Sequence, residues 1–226
     1  SSTWWHKYVT GHIPFAFKNS AIFGTSTHGG SVWKASRFKY VWNMSATPPA
    51  WSSSTPATEW SSGTINLACT DTFLPGGAPV DGAYYLHVAA MNENGEWNYT
   101  AADTATYGPF QYDHTVPNNP AIGCDDGFGA AEVHADPSPS FTLSGASDPG
   151  TVGVTASGLE ATASGRYRYY WGPEPLPTGA GAPTTLSDET ITGLTLPMNT
   201  EGTYYLHVQT KDEAGNWSDP VTWTYN

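Results

Sequence analysis

The densest group of side chains able to bind a metal ion lies in the segment CDDGFGAAEVHAD, residues 124–136. Its acidic and imidazole side chains are Asp125, Asp126, Glu132, His134 and Asp136. Carboxylate oxygens beside a glycine-containing turn are the ligands that Ca²⁺ prefers. The spacing matches no EF-hand loop, however, and acidic loops are usually solvated. We therefore expect no dedicated metal site, with Ca²⁺ near Asp125 and Asp126 as the alternative.

Motifs of catalysis are absent from the sequence. It contains no HExxH, GxSxG, P-loop or GxGxxG pattern. Its seven histidines are scattered, and His87 and His207 occupy equivalent positions of an internal repeat. We interpret these two as structural residues on the solvent face of a strand. The chain is therefore expected not to be an enzyme, to have no catalytic residues and to bind no cofactor.

The chain has two cysteines, Cys69 and Cys124. A pair of cysteines in a chain of extracellular character favours a disulfide. They fall on either side of the expected domain boundary, so the bond would clamp the linker to the first domain rather than cross one sandwich. The alternative is two separate buried thiols.

An internal repeat defines the elements that position these side chains. Residues 81–98 read DGAYYLHVAAMNENGEWN and residues 201–218 read EGTYYLHVQTKDEAGNWS, and nine of these eighteen positions are identical. A second matched pair lies upstream, RFKYVW at 37–42 and RYRYYW at 166–171. Two copies in the same order indicate two similar domains.

The matched segments alternate as β-strands do, with large apolar side chains at every second position. We predict that these positions form the core of each domain. They are Phe38, Tyr40, Trp42, Tyr84, Leu86 and Val88 in the first copy, and Tyr167, Tyr169, Trp171, Tyr204, Leu206 and Val208 in the second.

The pattern GTYYLHVQTKDEAGNWS, preceded by an aromatic strand that ends in Trp, resembles the immunoglobulin-like and fibronectin type III-like repeats of secreted and cell-surface bacterial proteins. In that family the aromatic strand is the central strand C and the Gly-x-Tyr strand is F. The resemblance implies that Trp42 and Trp171 are the core tryptophans of strand C. It also implies that Tyr84 and Tyr204 anchor the loop before strand F, and that the chain is all-β with two tandem sandwiches.

The domain boundary is predicted at YDHTVPNNP, residues 112–120, because two prolines and a turn cluster follow a strand. The domains are then 1–113 and 114–226, joined by a short, fairly stiff linker at about 113–120. The first has 7 acidic and 5 basic residues (net −2), and the second has 13 and 3 (net −10).

The composition excludes several classes of partner. A net charge of −12 without clusters of Lys or Arg argues against nucleic acid and against anionic membrane surfaces. No run approaches 18 apolar residues, so we expect no membrane insertion. The chain begins at Ser1 without a signal peptide, which fits a mature secreted chain or an excised fragment.

We interpret the chain as a spacer or structural part of a larger secreted or surface protein, with the neighbouring domains as its partners. The alternative is an adhesion module that binds a glycan or a protein through exposed aromatic rings of the first domain. The candidate binding residues have no counterpart in the second copy, and they are Trp4, Trp5, Trp51 and Trp60.

Overall fold

The chain folds into β-sheets whose strands are almost all antiparallel. The structure, a computed structural model, describes residues 5–6, 12–16, 26–28, 31–33, 37–60, 64–68, 80–91, 97, 104–150, 156–196 and 201–226. The chain divides into two units, Ser1–Asp113 and His114–Asn226. Within the described ranges, no helix has the length and apolar character needed to cross a membrane.

Unit 1 has nine strands among its described residues. They are β1 (Trp5–His6), β2 (His12–Ala16), β3 (Ser26–His28), β4 (Ser31–Trp33), β5 (Arg37–Asn43), β6 (Thr58–Trp60), β7 (Thr64–Ala68), β8 (Gly82–Met91) and β9 (Thr104–Tyr112). One sheet has the order β1-β9-β8-β5-β6, while β2 pairs with β7 and β3 with β4. Leu67 of β7 packs against Leu86 and Val88 of β8, so the β2–β7 pair covers the inner face of the larger sheet.

Unit 2 has seven strands among its described residues. They are β10 (Ala121–Cys124), β11 (Phe141–Ser144), β12 (Tyr167–Gly172), β13 (Thr185–Ser187), β14 (Thr190–Ile191), β15 (Tyr204–Thr210) and β16 (Val221–Tyr225). A single helical turn, α1 (Ala163–Arg166), precedes β12, and a 3-10 turn spans Gly179–Gly181. The strands form two sheets, β10-β11-β14 and β13-β12-β15-β16.

The two sheets of unit 2 enclose one hydrophobic core. The smaller sheet and the chain after it contribute Phe141, Leu143, Ile191 and Leu194, and the larger sheet contributes Tyr167, Leu206, Val208, Trp223 and Tyr225. A three-stranded sheet facing a four-stranded one across a shared core is the arrangement of an immunoglobulin-like sandwich. The predicted fold class, all-β with immunoglobulin-like sandwiches, is therefore confirmed.

The repeated segments pair in the same register in both units. Trp42 of β5 lies opposite Leu86 of β8, and Trp171 of β12 lies opposite Leu206 of β15. The sequence duplication is therefore also a duplication of strand pairing at the centre of each larger sheet.

The tryptophan of each aromatic strand stacks on the tyrosine of its neighbour. Trp42 and Tyr84 have ring centroids 5.3 Å apart at an interplanar angle of 16°, and Trp171 and Tyr204 are 5.6 Å apart at 29°. The Tyr84 hydroxyl donates a hydrogen bond to the backbone oxygen of Val80 at 2.7 Å. Tyr84 thus holds the chain that enters β8, which is the role expected of it.

Most of the predicted core residues are buried. Those with at most 5% exposure are Phe38, Tyr84, Leu86, Val88, Tyr167, Leu206 and Val208. The others are half-buried and pack against the core clusters. They are Tyr40, Trp42, Tyr169, Trp171 and Tyr204.

The prediction that His87 and His207 lie on a solvent face is wrong, because both are 0% exposed. They do point away from the sandwich core, but chain segments that follow the aromatic strands cover that outer face. Sequence alternation identifies the face of the sheet and not what covers it.

Both histidines make the same pair of hydrogen bonds. Nε2 lies 2.9 Å from the Ser45 carbonyl oxygen for His87, and 2.8 Å from the Glu174 carbonyl oxygen for His207. Nδ1 lies 2.8 Å from a threonine hydroxyl on the last strand, Thr106 or Thr222. A carbonyl only accepts, so Nε2 donates in both rings, and each ring pins a loop to the sheet.

The first prediction concerns acid stability. Burial lowers the pKa of His87, and the hydrogen bond to the Ser45 carbonyl opposes this shift only in part. The unfolded chain therefore takes up a proton at higher pH than the folded chain, and unit 1 should lose stability as pH falls below about 6.5. We expect urea denaturation to show a smaller loss between pH 8 and pH 5 for His87→Gln than for the wild type. Equal losses in the two proteins would contradict a neutral, buried His87.

The second prediction tests the core of unit 2. Leu206 is 0% exposed, so Leu206→Ala removes buried methyl groups and leaves a cavity. We expect the free energy of unfolding to fall by about 2–5 kcal/mol. Leu186 is 60% exposed and is the matched control, since Leu186→Ala should change stability by less than about 0.5 kcal/mol. Urea titrations followed by tryptophan fluorescence give both values, and comparable losses in the two variants would contradict this core.

Candidate functional site

The loop between β10 and β11 lies along the edge of β16. The Ala131 N–H donates to the Thr224 carbonyl at 2.9 Å, and the His134 N–H donates to the Asn226 carbonyl at 2.7 Å. These bonds satisfy backbone groups of the last strand and fix the loop in place. They also position the His134 side chain against unit 2.

A tight turn at the start of this loop brings its acidic side chains back toward β10. The Gly127 N–H donates to the Cys124 carbonyl at 3.1 Å, and Gly127 has a φ of +81°, which glycine adopts without strain. The Asp126 carboxylate accepts the Phe128 N–H at 3.1 Å, which fixes its orientation.

Three different side chains converge at this turn, and we call Cys124, Asp126 and His134 the thiol–carboxylate–imidazole cluster. The potential ligand atoms of all three lie within 4.8 Å of one another. His134 Nδ1 is 2.5 Å from Asp126 Oδ2. The His134 side chain is 0% exposed and the Asp126 side chain 16% exposed, so solvent reaches the cluster at the carboxylate.

Aromatic rings surround the imidazole. His134 stacks on Tyr225 with ring centroids 4.0 Å apart at 17°, lies 5.3 Å from Trp223, and meets Phe128 edge-on at 5.8 Å. In the part of the chain that the structure describes, its Nε2 is buried without a hydrogen-bond partner. The ring orientation is thus set by packing, with one nitrogen directed at Asp126 and the other unsatisfied.

The protonation of the cluster follows from its surroundings. Burial and the neighbouring carboxylates raise the pKa of the Cys124 thiol to about 11, so it is neutral at pH 7. Burial also works to raise the pKa of Asp126, but hydrogen bonds from His134, the Phe128 N–H and Cys124 outweigh it and lower that pKa. The cluster therefore pairs an ionised carboxylate with a protonated thiol, which is a poor nucleophile.

The structure separates the two carboxylates proposed for Ca²⁺. Asp125 accepts hydrogen bonds from the hydroxyls of Ser140 at 2.5 Å and Thr142 at 3.3 Å, whereas Asp126 belongs to the cluster with Cys124 and His134. Sulfur and nitrogen donors are not those that Ca²⁺ prefers. Binding of Ca²⁺ near Asp125 and Asp126 stays a prediction.

The predicted disulfide between Cys69 and Cys124 stays a prediction, because Cys69 lies outside the described residues. In the structure the Cys124 thiol is free and lies within hydrogen-bonding reach of Asp126.

The candidate binding tryptophans are only partly described. Trp51 lies in the loop after β5, is half-buried, and has an indole N–H that is buried without a partner among the described residues. The backbone of Trp60 pairs with Phe38, and the backbone of Trp5 pairs with Gln111. Trp4 and the side chains of Trp5 and Trp60 lie outside the described part. A shared aromatic surface therefore stays a prediction.

Trp97 and Trp217 occupy matching positions in the two repeats, and each covers a basic side chain on the outer face of its sheet. Lys39 Nζ lies 4.7 Å from the ring centroid of Trp97, and the Arg168 guanidinium carbon lies 4.3 Å from that of Trp217. Such cation–π contacts are stabilising, and they assign these rings to the structure of the sheet rather than to a ligand.

A second group of polar side chains holds the segment that enters unit 2, and sequence reasoning did not identify it. Asn119 donates from Nδ2 to the Asp219 carbonyl at 2.6 Å and accepts the Ser218 hydroxyl at 2.6 Å. Asn118 makes both a backbone and a side-chain hydrogen bond to Ser147. We call these interactions, together with those of Asn216 described next, the entry clamp.

The repeated turn at 212–218 supplies the other side of the entry clamp. Asp212 is 0% exposed and accepts both the backbone N–H and the side-chain Nδ2 of Asn216, each at 2.7 Å. Asn216 Nδ2 also approaches the Thr115 carbonyl at 3.4 Å. The only sequence signal for this arrangement is a polar Asn pair between two prolines, which does not by itself indicate a partner.

Comparisons with known proteins support no closer assignment. No protein-family model and no curated protein matches the sequence. Among solved structures, the chain is similar to the FN1-FN3 domains of chicken CNTN1, with a TM-score of 0.33 and 11% sequence identity. The match covers 85% of this chain and 57% of that one, so the chain spans a little over half of that structure. The fold assignment rests on the sheet order and the shared core.

Proposed function

We propose that the chain is a non-enzymatic spacer module of a larger extracellular protein, which sets the separation and orientation of neighbouring domains. The observation that carries this proposal is the entry clamp. Thr115, Asn118 and Asn119 are all hydrogen bonded within unit 2. The chain between the units is therefore anchored almost as soon as it leaves the last strand of unit 1.

The connection between the last strand of unit 1 and the entry clamp is short. Tyr112 is the last residue of β9 and is 0% exposed, and the Thr115 carbonyl accepts a hydrogen bond from Asn216 in the repeated turn of unit 2 at 3.4 Å. Only two residues lie between them, and the Cα atoms of Tyr112 and Thr115 can be at most about 11 Å apart. Long Gly/Ser-rich linkers behave as flexible coils, and the connection here has neither that length nor that composition.

An extracellular location is part of the same proposal. It is supported by the resemblance of the repeated segments to modules of secreted and surface proteins. The binding alternative has less support, because Trp51 is half-buried and Trp97 and Trp217 are engaged with basic side chains.

The third prediction tests the stiffness that a spacer requires. In ¹⁵N relaxation measurements, we expect the two units of the wild type to share one rotational correlation time. Insertion of Gly-Ser-Gly-Ser between Asp113 and His114 should give each unit a shorter value of its own. Asn119→Ala should move the protein toward the insertion variant, since it removes the clamp bonds to Ser218 and Asp219.

Asn118→Ala is the matched control, because it removes one exposed side-chain bond and leaves the backbone bond to Ser147. It should tumble as the wild type does. A wild-type chain whose units already tumble as independently as those of the insertion variant would refute the spacer function.

A further inference from the structure

We propose that the thiol–carboxylate–imidazole cluster of unit 2 binds a divalent cation of intermediate hardness, with Zn²⁺ the best match. This inference is independent of the spacer function. Cysteine sulfur, histidine nitrogen and aspartate oxygen are the three donor types that bind zinc in proteins. Here Cys124, Asp126 and His134 supply one of each.

The spacing of the donors suits a tetrahedral ion. At zinc–ligand distances of about 2.0–2.3 Å, two ligands of one tetrahedron lie about 3.4 Å apart. The potential ligand atoms of the cluster lie within 4.8 Å of one another, and Nδ1 of His134 and Oδ2 of Asp126 are 2.5 Å apart. The 4.8 Å limit is wider and the 2.5 Å distance is shorter than this, so side-chain rotation, chiefly of the partly exposed Asp126, is needed to bring the three atoms to this geometry. The fourth position is left for water.

The histidine is held in place at the cluster. Its side chain is 0% exposed, with Nδ1 facing Asp126 and Nε2 buried without a hydrogen-bond partner among the described residues. The rings of Tyr225, Trp223 and Phe128 hold the imidazole beside the thiol and the carboxylate. Such packing fixes the orientation of the ring before an ion arrives, and a hydrophobic shell limits the access of solvent to a metal site.

Charge and access also favour a cation. Unit 2 as a whole has a net charge of −10 from 13 acidic and 3 basic residues. The Asp126 side chain is 16% exposed, which provides a route for entry. Binding replaces the thiol proton of Cys124 by the metal and releases that proton to solvent, as zinc–thiolate formation requires.

The fourth prediction is that the reduced chain, residues 1–226, binds Zn²⁺ with a stoichiometry of one, measured by calorimetry. Co²⁺, as a spectroscopic substitute, should give a near-ultraviolet sulfur-to-metal charge-transfer band. The band should disappear in Cys124→Ser and persist in Cys69→Ser. Asp126→Asn should weaken zinc binding at least about tenfold. Asp125→Asn is the matched control and should leave the affinity nearly unchanged, because that carboxylate bonds to Ser140 and Thr142 instead.

The results that overturn the proposal are equally definite. A chain that takes up no Zn²⁺ at millimolar concentration, or a cobalt band that survives Cys124→Ser, would refute it. So would equal losses of affinity in Asp125→Asn and Asp126→Asn, which would indicate nonspecific binding to an acidic loop. Circular dichroism shows whether each variant is folded. If Asp125→Asn or Asp126→Asn does not fold, the loss of the cobalt band in Cys124→Ser still tests the proposal.

Discussion

The register between the aromatic strand and the Gly-x-Tyr strand is the constraint on which both units depend. Side chains alternate across a sheet, so a slip of one residue would exchange the two faces of β15. Leu206 and Val208 would leave the core, and His207 would enter it. The same register therefore determines both the apolar interior and the histidine that fastens the outer loop.

The register of β12 and β15 also determines the positions of His134 and of the entry clamp in unit 2, because it places the next strand, β16. Pairing of β15 with β16 places Tyr225 and Trp223 in the core, and the edge of β16 then receives the loop that contains His134. The turn between β15 and β16 carries Asn216, which contributes to the entry clamp. Two local features that are distant from each other in sequence thus share one structural origin.

Sequence reasoning succeeded where a property is local to one strand. The alternation of apolar residues in the two repeats identified the inward faces correctly, as Leu86 and Leu206 show. It failed for His87 and His207, because the segments that cover them come from about 30 to 40 residues away. Nor did it identify the cluster of Cys124, Asp126 and His134. The meeting of Cys124 with His134 depends on a loop that pairs with β16, about ninety residues later.

Each unit has an early segment that runs parallel to its last strand. In unit 1, β1 pairs in parallel with β9. In unit 2, residues 131 and 134 bond in the same order to residues 224 and 226. When the two ends of a unit are pulled apart, parallel neighbours slide along each other, and their hydrogen bonds are loaded together rather than broken in succession. Tension along the chain therefore loads the β1–β9 pair of unit 1 in shear, whereas in unit 2 the entry clamp, which lies nearer the start of the unit, is loaded before the contacts of residues 131 and 134.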